Sequence, residues 1–207
     1  QISSLFANVH RDATFHTSTI SLHGGLIRNN LRISLLEEGA HADASGLSLT
    51  DREQHVDNHT YIDHKAGNCT SNQFFKSVLD DKSSTAFTGR IMVQPDAQQT
   101  NAYQSNKSLL LTNDASSNSR PQLEIYADDV KCSHGATTGQ IDEEALFYMR
   151  QRGINQREAR LLLMFAFAYE VIDKINVEPL ALRIEDLVNK RLRGELSRCN
   201  NCEIKCQ

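Results

Sequence analysis

Five cysteines and eight histidines carry most of the metal and sulfur chemistry open to this 207-residue chain. Cys199, Cys202 and Cys206 form a C-x2-C-x3-C pattern at its end. Thiolates this close in sequence can hold zinc or iron, leaving a fourth position for another residue or a partner. Cys132 and His134 lie two apart in Lys131-Cys132-Ser133-His134-Gly135, and on a strand residues two apart share a face. Such a pair suits a soft metal or sulfur, or a Cys–His nucleophile. The nucleophile also needs an oxyanion hole, which nothing signals, and a buried thiol beside an exposed imidazole fits the spacing equally well. His55 and His59 share one strand face and His64 takes the other. The polar surroundings favour solvated histidines there over a metal set. Asp80-Asp81 and Asp128-Asp129 are adjacent, so on a strand neither pair flanks one glycosidic bond; they read as turn or surface aspartates. No G-x-x-x-x-G-K-S/T or G-x-G-x-x-G loop is present, so any ATP is bound by a partner.

The elements that position these residues change character near residue 140. Before it the chain is rich in Ser, Thr, Asn, Gln and His, with β-type runs at 14–22, 31–36, 59–63, 72–79, 86–93, 108–112 and 122–130. Short strands at regular spacing suit a sandwich or barrel. Hairpin dipeptides are scarce, however: Gly24-Gly25 is the sole Gly-Gly pair, and Asn-Gly and Asp-Gly are missing. Polar strands without hairpin turns favour a stacked solenoid, although no strict repeat is visible.

After Gln140 the pattern becomes helical. Asp142-Glu143-Glu144 open a first helix that Gly153 closes; Asn155 caps a second through about Ile175; Pro179 starts a third. Along the third, Leu180, Ile184, Leu187, Val188, Leu192 and Leu196 form one apolar stripe. The chain thus divides into a β body over 1–140, a helical region over 141–198 and a Cys-rich tail over 199–207.

A net charge of -4 and a pI near 6.1 argue against a nucleic-acid or anionic-membrane binder. Residues 1–149 carry 11 basic and 18 acidic side chains, so the helical end reads as mildly basic. Its apolar face and basic rim form either a docking surface or a face packed on the β body. The longest apolar run, 161–168, is too short to cross a bilayer, which takes roughly 20 residues. No signal peptide is visible, and an odd cysteine count without one points to a reducing, cytoplasmic compartment. The chain starts at Gln1 rather than Met, as expected of a piece that begins mid-protein.

Longer blocks carry a family resemblance. Asp80-Asp81-Lys82-Ser83-Ser84, Phe87-Thr88-Gly89-Arg90-Ile91, Ala97-Gln98-Gln99-Thr100-Asn101-Ala102-Tyr103-Gln104 and Asn106-Lys107-Ser108-Leu109-Leu110-Leu111 resemble the SufB/SufD family of iron–sulfur cluster assembly proteins. The strongest match is Pro121-Gln122-Leu123-Glu124-Ile125-Tyr126-Ala127-Asp128-Asp129-Val130-Lys131-Cys132-Ser133-His134-Gly135-Ala136-Thr137, which continues from Gly139 to Tyr148 and on to Arg152-Gly153-Ile154. The Cys-Ser-His-Gly core is similar to SufD-type members, where SufB-type members have a Glu-His-Glu arrangement. The resemblance covers most of this chain but only the C-terminal part of a full-length member, whose N-terminal helical region and first β turns are absent.

The resemblance implies a mainly β fold, a right-handed parallel β-helix followed by a C-terminal α-helical region. It also implies a non-catalytic scaffold subunit of the SufBCD complex, pairing with a SufB-like subunit and docking the SufC ATPase through the helices around Leu180, Ile184, Leu187 and Val188. Cys132 and His134 fall near the SufB–SufD interface, where iron or a nascent iron–sulfur cluster is held transiently, His134 being the better ligand. No tightly bound cofactor is expected; zinc or iron at Cys199, Cys202 and Cys206 stays open because the tail lies outside the family core. Two alternatives remain. A β-helix polysaccharide lyase or hydrolase requires several carboxylates on one solenoid face, and the sequence offers none. A homodimeric metal-binding protein is the other, since a solenoid lacking its first turns exposes edges for self-association.

Overall fold

A computed structural model describes residues 1–197. Cys199, Cys202 and Cys206 lie outside the described residues. The chain divides into two compact units, Gln1–Gln140 and the part from Ile141 onward.

The first unit is a parallel β-solenoid of about five turns, each giving one strand to each of two sheets. The strands are β1 (Ile2–Val9), β2 (Thr14–Ser21), β3 (Leu26–Leu35), β4 (His41–Thr50), β5 (His55–His64), β6 (Thr70–Leu79), β7 (Ser84–Val93), β8 (Thr100–Leu110), β9 (Ser116–Ile125) and β10 (Val130–Gly139). One sheet runs β1-β3-β5-β7-β9 and the other β10-β8-β6-β4-β2, every pairing parallel. Ile2 pairs with Arg28 and Ser84 with Ser116, so a turn takes from 26 to 32 residues. That variation hides the repeat from the sequence.

The corners explain the missing hairpin dipeptides. A solenoid chain does not reverse onto its neighbour but crosses to the other sheet, using one left-handed residue where a type I′ hairpin needs two. Asp12, Arg52, Asn68, Asp81 and Gln99 take positive φ at such corners. Backbone bonds then join corner to corner, as in Asn68 N–H to Gln98 O at 2.9 Å and Lys82 N–H to Arg52 O at 2.9 Å. The expected strand over 122–130 is therefore broken, because residues 126–129 form a corner between β9 and β10.

Alternate residues point inward. Along β7, Thr85, Phe87, Gly89, Ile91 and Val93 are buried, while the residues between them are half-buried. Ile33, Leu35, Ile62 and Phe75 pack with small Ala40, Ala42 and Ala44 in one cluster; Ile91, Val93, Ala97, Ala102 and Ala127 form another. Gly46 is required opposite Phe75, since a Cβ there would lie 2.3 Å from the ring. Polar side chains share this interior because they bond one another across it. Thr60 donates to Gln73 Oε1 at 2.5 Å, Asn106 Nδ2 to Ser119 Oγ at 3.0 Å, and His64 Nε2 lies 2.8 Å from Ser71 Oγ.

His64 corrects the expectation of solvated strand histidines. It is fully buried, and burial lowers its pKa to about 4. His55 and His59 do face outward on the same strand.

In the second unit, Asp142 caps α1 (Glu143–Gln151) by accepting from the N–H groups of Glu144 and Ala145, and Gly153 follows at φ 86. Asn155 caps α2 (Gln156–Ile172), which stops three residues before the expected end. Pro179 lies in the first turn of α3 (Glu178–Leu192). Counted from Ile141, this unit carries 11 basic and 11 acidic side chains, so it is neutral rather than basic. The difference comes from Asp142, Glu143 and Glu144, which serve the α1 dipole. Val188 is fully buried and so anchors α3 instead of offering a docking contact; Leu180 is exposed, and Ile184 and Leu187 are half-buried.

Candidate functional site

β9 and β10 end their sheets, each with one neighbouring strand, so within this unit no further turn stacks on the last one and that end of the solenoid is open. The register sets β10 against β8 with Cys132 opposite Ala102 and His134 opposite Gln104. Ala102 and Gln104 are buried inward residues, so the parallel register carries Cys132 and His134 on the same face, with ~6.6 Å between their Cα atoms.

Their surroundings differ. Cys132 is half-buried against Ala102, Ala127 and their apolar neighbours. Burial raises its thiol pKa, partly offset by a backbone hydrogen bond with Ala102. The thiol is thus the resting form, and a metal must displace its proton. His134 is exposed and makes no hydrogen bond with any described residue. Without a base or orienting partner on this pair, a covalent nucleophile has no support; a ligand pair that meets a metal from outside does. Among the described residues no three His, Cys, Asp or Glu side chains converge as a closed metal site.

The remaining candidates do not join this face. His55 Nδ1 lies 2.7 Å from Ser84 Oγ, and His59 Nε2 3.1 Å from Asp57 Oδ1. Asp80 and Asp81 occupy a corner, where Asp81 Oδ2 accepts the Arg52 N–H at 2.9 Å. Around it Glu53, Asp81 and Asp114 line a groove of about 550 Å³ with Arg52 and Lys82, at the corners and not on a strand face. That is no glycosidase cleft. Asp128 and Asp129 also lie in a corner.

Sequence reasoning missed two groupings that the solenoid assembles. Asp43 Oδ2 lies between His16 Nδ1 at 3.2 Å and His41 Nε2 at 2.8 Å. His16 and Asp43 are in-register partners 27 residues apart, so knowing the turn length would have revealed them. On the first sheet's outer face, Arg32 and Arg90 stand 4.9 and 5.6 Å from the Tyr61 ring in a groove of about 350 Å³. These three residues also share one in-register column.

Residues 1–167 match the family model described as "SUF system FeS cluster assembly, SufBD core domain". The chain is 38% identical to the iron–sulfur cluster assembly protein SufD of Escherichia coli over 88% of this chain and 43% of that protein. It is 35% identical to a SufBD family protein of Synechocystis over 93% of this chain and 40% of that protein. Against the chloroplastic protein ABCI7 of Arabidopsis thaliana it is 37% identical over 82% of this chain and 36% of that protein. The chain therefore spans less than half the length of these relatives. The solenoid, the Cys-Ser-His-Gly strand at its open end and the match over 1–167 agree: the chain belongs to the SufBD family of iron–sulfur cluster assembly proteins.

Proposed function

We propose that the chain is a non-catalytic scaffold subunit that receives iron or a nascent iron–sulfur cluster at Cys132 and His134, in a reducing cytoplasmic compartment. The observation that carries this reading is the in-register placement of both residues on the inner face of the last, open turn. A SufB-like subunit placed against that end supplies further ligands, which a thiol and one imidazole need to complete a tetrahedral iron site. A neutral imidazole presents a lone pair to iron directly, whereas the Cys132 thiol, kept protonated by burial, must first lose a proton.

The chain has no phosphate-binding loop, so ATP hydrolysis falls to a SufC partner docked on the helical unit. Leu180 is the exposed member of the apolar stripe of α3, and Leu182 is exposed on the other side of the helix.

Reconstitution with the SufB and SufC partners tests the reading. His134→Ala should lower cluster formation on the order of tenfold or more, judged by visible absorbance and iron content. Undiminished cluster formation overturns the role given to His134.

A further inference from the structure

Inward side chains of the second sheet stack in register, and one column runs Ala44, Gln73, Gln104, His134 from β4 to β10. On the facing sheet Thr60, Gly89 and Pro121 form a column of their own. The two columns meet across the core, where the Thr60 hydroxyl donates to Gln73 Oε1.

One turn further, Gly89 stands where Thr60 stood. A Cβ on Gly89 would fall 2.2 Å from Gln104 Nε2, so the Gln104 amide crosses the core and meets bare backbone. Neither Nε2 nor Oε1 of Gln104 has a hydrogen-bond partner, although the residue is only 2% exposed. Gln73 Nε2, in the turn behind, also lacks one. Buried amides without partners are rare in folded proteins and call for a specific explanation. In the next turn Pro121 brings no N–H, and His134 is the in-register neighbour, its imidazole exposed and unbonded.

We infer that Gln104 is a positioning residue for His134: when the exposed ring turns towards the strand, the unpaired Gln104 Oε1 accepts its Nδ1–H and leaves the Nε2 lone pair free for a ligand. The inference rests on the reading of His134 as the residue that meets iron. In-register residues of adjacent parallel strands are ~4.8 Å apart, within reach of a side-chain hydrogen bond. The amide nitrogen lies against Gly89, which leaves the oxygen for this bond. A ligating imidazole commonly gives its other N–H to such an acceptor, which fixes tautomer and ring orientation.

Imidazole nitrogen-15 NMR on the full chain tests this, with the His134 signals assigned by their loss in His134→Ala. The expected result is a His134 ring in the Nδ1–H tautomer. In Gln104→Leu the ring should revert to the Nε2–H tautomer that free imidazole side chains favour in water. In Gln104→Glu, which keeps an acceptor of the same reach, the Nδ1–H form should persist. Backbone amide shifts of β10 report whether each variant keeps the strand, and Gln104→Met replaces the Leu variant if branching disturbs it. A wild-type ring in the Nε2–H form, or one unchanged in the folded apolar variant, overturns the inference. The cluster assay is separate: full assembly with His134→Ala overturns the role of His134 and leaves the tautomer result standing.

Discussion

His64 shows how one residue ties the solenoid interior to pH. Its ring is fully buried, Nε2 lies against Ser71 Oγ at 2.8 Å, and Nδ1 has no partner. Burial lowers its pKa from 6.5 to about 4. The folded state thus disfavours the protonated ring, and unfolding takes up a proton between those values. Its contribution is fully present above pH 6.5 and is lost as pH falls towards 4, by about 3 kcal/mol at most. Urea unfolding of the wild type and His64→Phe should show the difference: the wild type loses more stability between neutral pH and pH 4 than the variant. Equal losses would mean that His64 binds its proton equally well in the folded and unfolded states. Gly46 is the steric counterpart. Gly46→Ala drives a methyl into the Phe75 ring and should cost about 1–3 kcal/mol, and adding Phe75→Leu should restore much of that.

At the scale of the strand, stability comes from ladders that link turns. Asn29 Nδ2 donates to Asn58 Oδ1 at 2.9 Å, from β3 to β5, with Asn58 buried. Asn58→Leu leaves the Asn29 amide without that acceptor and should cost about 1–3 kcal/mol. Replacing both by Leu should recover most of the loss, and denaturant midpoints of the three variants decide it. The same ladders explain what could be read from the sequence. β7 was legible because apolar residues mark its inner face, and β6 because Phe75 and Leu79 stand on its inner face. β4 and β10 were not, since Ser, Thr, Gly and His fill their sequences, and most of β8 escaped for its Asn, Gln and Ser. An inward Gln or Asn looks like a surface residue until the turn above it is known. The caps at Asp142 and Asn155 were legible because capping is local. Cys132 and His134 stood out by spacing and resemblance, whereas Gln104, thirty residues away, becomes their neighbour only through the register.

Across the whole chain, net charge and apolar exposure are concentrated in different units. The acidic excess belongs to Gln1–Gln140, which carries 11 basic and 15 acidic side chains, while the helical unit is neutral. Within that unit Lys190 pairs with Asp186 at 2.7 Å and Arg193 with Glu158 at 3.0 Å. Cations already paired in this way add little long-range attraction for an acidic partner. Leu180 and Leu182, 49% and 60% exposed on opposite sides of α3, are instead among the apolar side chains that gain by leaving water. If a SufC partner docks through α3 as proposed, apolar burial should drive the contact. Co-purification should change little between ~0.05 and ~0.5 M salt, where screening removes most surface charge attraction. Leu180→Asp combined with Leu182→Asp should abolish it while leaving pairing at the open end of the solenoid intact. Capture that falls steeply with salt but survives the double substitution would place the contact on the charged residues instead.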